Sequence, residues 1–565
     1  ATVLRKAVFM LESALAFADS LRLQLTAPAS RQRWLEKLYP VHTSAIEACF
    51  RLWQQTGETA MLESAFRRAE QSRSLQLLEN LHKEQAERSA GVPDSLLEQE
   101  RYWGEELNRR EKNRLSWLGA GALEEARAAD AGITEARQQL SALVHYIEQQ
   151  YPDYYRMKYS IRTAGIETVR RELLGAGNQA LVEYFMTDSV LFVFIVTQDV
   201  FKGLRLPYDF PLDNWVSDFR NSIQAYPGAS GKAAATLSAT YAERAYRIFQ
   251  TVVAPVQAAV QLPENLIIIP DGALSYVPFE ALLSEVPADP QQLKRHHYLL
   301  RDYRIQYGYS ATQLADLQEQ PTETASKTVL AVAPDFKNNP YGLKPLQYNR
   351  KEAKEVCGML DGELLDREDA TMAAFVAKAP DYRILLLSTH GQASSAAGDL
   401  SYLAFAQAQD SSGSAFLYVR DLYLLHFPAE LVVLSACETS VGEYRLGEGV
   451  ISLAKGFFHA GARSIVATLW SVDDAKNAKL IRMFFDCLRT GVRKDEALRD
   501  AKLRFLDKVS QDEAHPVYWA AAIANGDMAP MDLPGSGWPW WWMTGGALVL
   551  GMLVVFWVWK RKMIT

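Results

Sequence analysis

Cysteine is scarce in this sequence, and the four present form no pattern with a known use. Cys49, Cys357, Cys437 and Cys487 are scattered over 565 residues without a CxxC pair, which excludes a zinc ribbon and a redox dithiol. The nine histidines are equally dispersed apart from His296-His297, and HExxH does not occur; no metal and no cofactor are expected. Basic charge is in deficit: 60 Lys and Arg stand against 67 Asp and Glu, a formal net charge of −7, and no local basic patch offsets it. Nucleic acid is therefore not an expected partner. A phosphate loop is also missing. Gly228-Ala229-Ser230-Gly231-Lys232-Ala233 has two residues between its glycines where the motif needs four, and Ala233 replaces the Ser or Thr that would hold magnesium.

A hydrophobic fraction of 48% with 22% charged residues is that of a globular protein with real cores. The length suggests about three to five domain-sized units. The sequence opens on Ala1, so it is read as a piece or processed form of a longer chain. One long hydrophobic run is present. Residues 538–559 carry no charge, with Trp538, Trp540, Trp541 and Trp542 at one end, Trp557 and Trp559 at the other, then Lys560, Arg561 and Lys562. As a helix it would reach about 33 Å, enough for a bilayer core. The expectation is a single-pass C-terminal membrane anchor with the bilayer as a partner. The charge rule would place the basic tail, residues 560–565, in the cytoplasm and the body outside it, the alternative being a tail anchor with a cytosolic body, and 529–537 is the linker.

Residues 1–160 read as helices. Apolar residues recur three and four apart at Leu35, Leu38, Val41, Ala45 and Ala48, and again at Leu62, Ala65, Phe66 and Ala69. The break Gln55-Thr56-Gly57-Glu58 separates the two runs. Paired helices of this kind resemble a degenerate tetratricopeptide repeat. Glu98 to Gln150 continues as charged helix with a turn near Gly119-Ala120-Gly121, a helical hairpin. The region is expected to bind a protein partner. From 180 onward short β-rich runs begin, with 180–185 and 190–197 forming a hairpin around Thr187-Asp188. Strands then alternate with helices, an α/β sandwich over 180–528 in two halves, 180–325 and 326–528. The fold class is thus α+α/β with one C-terminal transmembrane helix.

Two segments share a grammar. Residues 384–387 are wholly apolar and lead into Ser388-Thr389-His390-Gly391; residues 431–434 are apolar and lead into Ser435-Ala436-Cys437-Glu438. Such runs suit parallel strands buried on both faces, and reactive side chains gather beyond the carboxyl ends of such strands. His390 and Cys437 are therefore expected at one sheet edge. An imidazole beside a thiol raises its thiolate share. Thiolate attack on an amide gives an acyl-enzyme, with His390 as acid and then base. The backbone N–H groups of Gly391 and Cys437 are candidates for the oxyanion hole.

These boxes, LLLSTHG and LVVLSACETS, resemble those of caspase-like cysteine peptidases of the CHAT type, modules often found with tetratricopeptide repeats. The likeness extends through Gly447-Glu448-Gly449, a helix over 450–459, Ala460-Gly461-Ala462, residues 465–474, His515-Pro516 and Tyr518-Trp519-Ala520. Upstream, IIIPDGALSYVPFEALL and YRIQYGYSAT add to it. The resemblance covers roughly 180–528 and implies a caspase-like fold and endopeptidase activity on a protein or peptide, with His390 and Cys437 as the dyad. It points to Ser435, Trp470, Asp473 and Asp474 as lining the substrate pocket. A carboxylate there would favour a basic residue before the cut, although Asp473 equally suits the cap of the following helix. His459 reads as a core residue. The alternative to a peptidase is a non-catalytic, membrane-tethered adaptor that works through its helical repeats.

Overall fold

The computed structural model describes residues 1–534 apart from 23–27, 120, 160–161, 176–177, 209, 320–324, 338, 396, 408–413, 437–438 and 446–447. Seven helices come first: α1 (Thr2–Arg22), α2 (Pro28–Thr56), α3 (Thr59–Gln71), α4 (Leu75–Ser89), α5 (Asp94–Gly119), α6 (Leu123–Gln150) and α7 (Pro152–Tyr159). The α2–α3 break falls at Gly57, whose φ of 72° reverses the chain. The α5–α6 hairpin is laced by cross-helix ion pairs, Arg114–Asp130 at 2.6 Å and Arg137–Glu111 at 2.8 Å.

Behind the helices lies one eleven-stranded sheet. Its strands are β1 (Gln179–Met186), β2 (Val190–Val196), β3 (Phe201–Pro207), β4 (Asn265–Ile269), β5 (Arg304–Tyr307), β6 (Lys327–Pro334), β7 (Glu363–Arg367), β8 (Tyr382–Leu387), β9 (Leu431–Leu434), β10 (Ser464–Thr468) and β11 (Ala522–Gly526). They lie in the order β3-β2-β1-β4-β5-β11-β10-β9-β8-β6-β7. The first three form an antiparallel meander. β11, from the C-terminal end of the fold, runs parallel to β5 and antiparallel to β10, so it sews the two halves into one sheet.

Continuous apolar runs occupy the middle because helices cover both faces there. Ile384 and Leu386 of β8, with Leu431 and Val433 of β9, enter one core. Their neighbours Leu385, Leu387, Val432 and Leu434 enter the core on the other face, as the two-residue period of a strand requires. The helical region is part of the same body. Phe50 of α2 and Phe66 of α3 pack on Phe194 of β2 at centroid distances of 5.4 and 5.5 Å. Gly203 of β3 lets them approach, since a Cβ there would lie 2.5 Å from Leu62 and 2.8 Å from the Phe50 ring.

The expected membrane helix is corrected. No helix among the described residues is long and apolar enough to cross a membrane, and residues 538–559 lie outside the described residues. Helices α2, α5 and α6 have the length, at 29, 26 and 28 residues, but each carries charges along it, and a charge at a bilayer centre costs about 2.5–3.5 kcal/mol or more. The single-pass anchor, the extracytoplasmic body and the bilayer as a partner are therefore not sustained. The helix expected over 450–459 is shorter than its pattern suggested. Residues Gly449–Ile451 are a strand paired with Glu443–Arg445, and the helix, Leu453–His459, starts only where Ser452 Oγ accepts the Lys455 N–H.

Several histidines are buried as neutral rings. Burial holds His42 down at about 4, and burial together with the neighbouring His296 holds His515 at about 3. The unfolded chain protonates these rings below about pH 6.5 while the folded chain refuses the proton, so their contribution is full above that pH and is lost as pH falls. His515 stacks on Tyr226 at 3.7 Å. The His515→Gln protein is expected to lose stability less steeply than wild type between about pH 6 and 4, by roughly 1.4 kcal/mol per pH unit. Urea midpoints across that range check this, and parallel curves would refute it.

Candidate active site

β8 ends at Leu387, and the three residues after it are fixed individually. Ser388 is buried and its hydroxyl donates to Glu352. The Thr389 hydroxyl donates to the Ala404 carbonyl, and the Ala404 N–H donates back to the His390 carbonyl at 2.9 Å. Gly391 pairs with Leu403 in a small three-stranded sheet. The His390 ring sits 4.8 Å from the Phe336 ring, and its Nε2 is 2.6 Å from the Lys344 carbonyl oxygen. A carbonyl only accepts, so Nε2 carries the hydrogen and Nδ1 of the neutral ring keeps its lone pair. The carbonyl is presented by the loop between β6 and the helix α8 (Asn349–Leu360). Asn339 folds that loop, donating to the Phe336 and Leu343 carbonyls and accepting from the Tyr341 and Leu343 N–H groups. The Lys344 carbonyl and Asn339 escaped the sequence reading: a main-chain acceptor has no residue-type signature.

Cys437 and Glu438 lie outside the described residues, and the chain on either side is pinned. β9 pairs in parallel with β8, Leu434 opposite Leu387. Cys437 thus follows Leu434, and His390 follows Leu387, by the same three positions. Thr468 at the end of β10 clamps the sequence neighbours of Cys437. Its hydroxyl donates to the Ala436 carbonyl at 2.5 Å, its N–H donates to Thr439 Oγ1 at 2.9 Å, and its carbonyl accepts the Ser440 N–H at 2.9 Å. The remaining cysteines, Cys49, Cys357 and Cys487, are buried, and burial pushes each thiol up to about 11.

Of the expected pocket residues, Ser435 is half-buried and accepts the Asn477 side-chain N–H at 2.8 Å. Trp470 lies fully inside the core, its indole N–H donating to the Val517 carbonyl at 3.1 Å. Asp473 caps the helix α10 (Asp474–Leu488) by accepting the Lys476 N–H at 3.1 Å. Asp474 accepts the Gln347 and Tyr348 N–H groups at 2.8 and 2.7 Å. Both carboxylates are thus engaged by backbone, and the structure brings Asp474 to the segment beside Lys344.

The segment after Cys437 runs back toward the helical region. Gly442 is required there, because a Cβ would lie 1.8 Å from the Ile451 carbonyl oxygen. Gly447 lies outside the described residues. Glu448 is buried, accepts the Gln76 N–H at the start of α4 at 2.9 Å, and pairs at 2.9 Å with the buried Lys455 of α9 (Leu453–His459). His459 is buried as well, with Nδ1 2.6 Å from the Asn80 side-chain nitrogen, and burial holds its pKa well below the ordinary value.

Replacing Thr468 with Val keeps the shape and removes the hydroxyl. The Ala436 carbonyl then loses its donor, and a loss of about 1–3 kcal/mol in urea unfolding is expected. Faster hydrogen exchange at the Ser440 amide should accompany it. Unchanged stability and exchange would mean that the clamp is immaterial.

The family model of the CHAT domain matches residues 242–527, about half of the chain. Tetratricopeptide repeat protein 28 of Homo sapiens is 31% identical over 123 residues, 21% of this chain and 5% of that protein. Its Mus musculus counterpart is 28% identical over 123 residues, with the same coverage. The match thus spans only 5% of the length of these curated relatives. Among solved structures, the Saccharomyces cerevisiae separase–securin complex overlaps with a TM-score of 0.46 at 10% identity, covering 67% of this chain and 31% of that one. The Arg-specific cysteine proteinase gingipain R overlaps with a TM-score of 0.32 at 10% identity, covering 57% and 74%. With the family match extending across β4–β11 and both expected boxes, the chain belongs to the CHAT-domain family.

Proposed function

We propose that the chain is a cysteine endopeptidase in which Cys437 is the nucleophile and His390 the acid–base partner, controlled by a protein bound to the helical region. The observation that carries this reading is the register of β8 and β9, with Leu387 opposite Leu434, together with the orientation of His390. Its Nε2–H is taken up by the Lys344 carbonyl, which leaves Nδ1 to accept a thiol proton. The other three thiols are disfavoured as nucleophiles by burial.

In this reading the Cys437 thiolate attacks the scissile carbonyl carbon, and the new oxyanion is held by the Gly391 and Cys437 N–H groups. Collapse breaks the C–N bond, and the His390 imidazolium gives its proton to the leaving amine. His390 then takes a proton from water, the hydroxide attacks the thioester carbon, and the carboxylate leaves as the thiol re-forms. The Lys344 carbonyl steadies the imidazolium throughout. Ser435, Trp470, Asp473 and Asp474 stay as the candidate pocket positions. The backbone contacts of the two aspartates favour a positioning part for them over direct capture of a basic side chain. Control from the helical region is supported by two sets of contacts. α4 meets Glu448, in the segment after Cys437. α5 meets the segment before β9, through Lys112–Asp421 at 2.5 Å and the Glu111–Arg420 pair at 3.1 Å.

The test is labelling with a cysteine-directed acyl probe, read by mass spectrometry at Cys437, alongside cleavage of a peptide library. Labelling and cleavage are expected to vanish in Cys437→Ala and to fall at least about a hundredfold in His390→Ala. Equal slow labelling of wild type and His390→Ala, with and without proteins captured on the helical region, would replace the peptidase with an adaptor.

A further inference from the structure

Glu352, on the first turn of α8, is 3% exposed, an expensive place for a carboxylate. Its surroundings show what it does there. The Ser388 hydroxyl, one residue past the end of β8, donates to Oε1. Ser435, one residue past the end of β9, stands beside the same carboxyl and pulls its pKa down. The Asn477 amide of α10 donates to Ser435 Oγ, so the Ser435 hydrogen is free to point at Glu352.

Ser388 and Ser435 continue a pair of strands locked in register, about 4.8 Å apart. One carboxylate therefore stands against the same position on both strands. Each serine stands two residues before a member of the proposed dyad. The helix that carries Glu352 adds a second tie to the histidine strand, because Asn349 donates to the Pro334 and Ser388 carbonyls at 3.0 and 3.4 Å. Burial raises the Glu352 carboxyl to about 7 against the pull of the two serines, and Asp474 of α10 and Glu355 of α8 push in the same direction as burial. Ionised, such a group accepts from hydroxyls at both oxygens; protonated, it turns one of those oxygens into a donor.

We infer that Glu352 is a positioning residue: by accepting from Ser388 and Ser435 at once, it sets the separation of the two strand ends from which His390 and Cys437 emerge. The inference rests on the dyad reading and goes beyond it, since Glu352 acts through the serines and not on substrate.

The experiment is a double-mutant cycle on the alkylation rate of Cys437, followed by mass spectrometry at about pH 8, where Glu352 is ionised. The ratio of wild type to His390→Ala measures how much His390 accelerates Cys437. That ratio is expected to shrink about tenfold when Glu352 is replaced by Gln, and also in the Ser388→Ala/Ser435→Ala protein, while the rates in the His390→Ala background stay the same with and without Glu352→Gln. Loss of the ratio in the serine pair alone supports the inference if Glu352→Gln does not fold. A full ratio retained in either folded variant overturns the bridge and leaves the dyad intact. A Glu352→Gln effect equally large in the His390→Ala background assigns Glu352 a merely structural part and also overturns it. A ratio of one in the wild-type background removes the dyad reading itself, and the bridge with it.

Discussion

Four residue pairs, from Ile384 with Leu431 to Leu387 with Leu434, lock β8 to β9 in the interior of the eleven-stranded sheet. A slip of one residue would send every side chain of one strand to the opposite face. It would drive Leu385 and Leu387 out of one core and Ile384 and Leu386 out of the other. Because both faces are buried, this register is strongly specified. The chemistry inherits it. His390 and the segment bearing Cys437 leave the sheet from paired positions, and each subsequent contact, Thr389 with Ala404, Thr468 with Ala436 and Thr439, only refines where the chain goes next.

The helical region is fastened to this sheet at places that matter for the site. The aromatic cluster of Phe50 and Phe66 on β2 gives it a broad apolar seat. Two narrower contacts then reach the segments on either side of β9. Glu448 accepts a backbone N–H at the start of α4 while paired with Lys455, a buried arrangement in which losing either partner leaves an uncompensated charge. The α5 contacts with Arg420 and Asp421 are more exposed and correspondingly weaker. A displacement of α4 is thus felt at the loop after Cys437.

Much of this was legible in residue patterns. Gly57 marked the α2–α3 turn, Thr187-Asp188 the β1–β2 hairpin, and the two apolar runs ending in STHG and SACE marked interior strands. Patterns of one period could still mislead. Val450 fits the helical stripe of Leu453, Ala454 and Phe457, yet it is extended, because its pairing with Tyr444 and the Ser452 cap outweigh a stripe that needs only burial. The hydrophobic run over 538–559 led to a membrane helix that the described fold does not contain. Length and apolarity state what a segment could tolerate; they do not state what it does.

By itself the sequence determined which residues are hydrophobic enough to build buried parallel strands, and which histidine and which cysteine follow them. Those are properties of residue type and spacing, and they survive any change of context. Tertiary structure alone decided how that pair is served. The Lys344 carbonyl that orients His390 is a main-chain atom, brought near by a loop folded on Asn339. Thr468 clamps Ala436 from a strand more than thirty residues away. Glu352 reaches two serines from a helix that precedes both strands. Each is an ordinary residue in the sequence, and each acquires its part only because hydrogen bonds join atoms that are adjacent in space and remote along the chain.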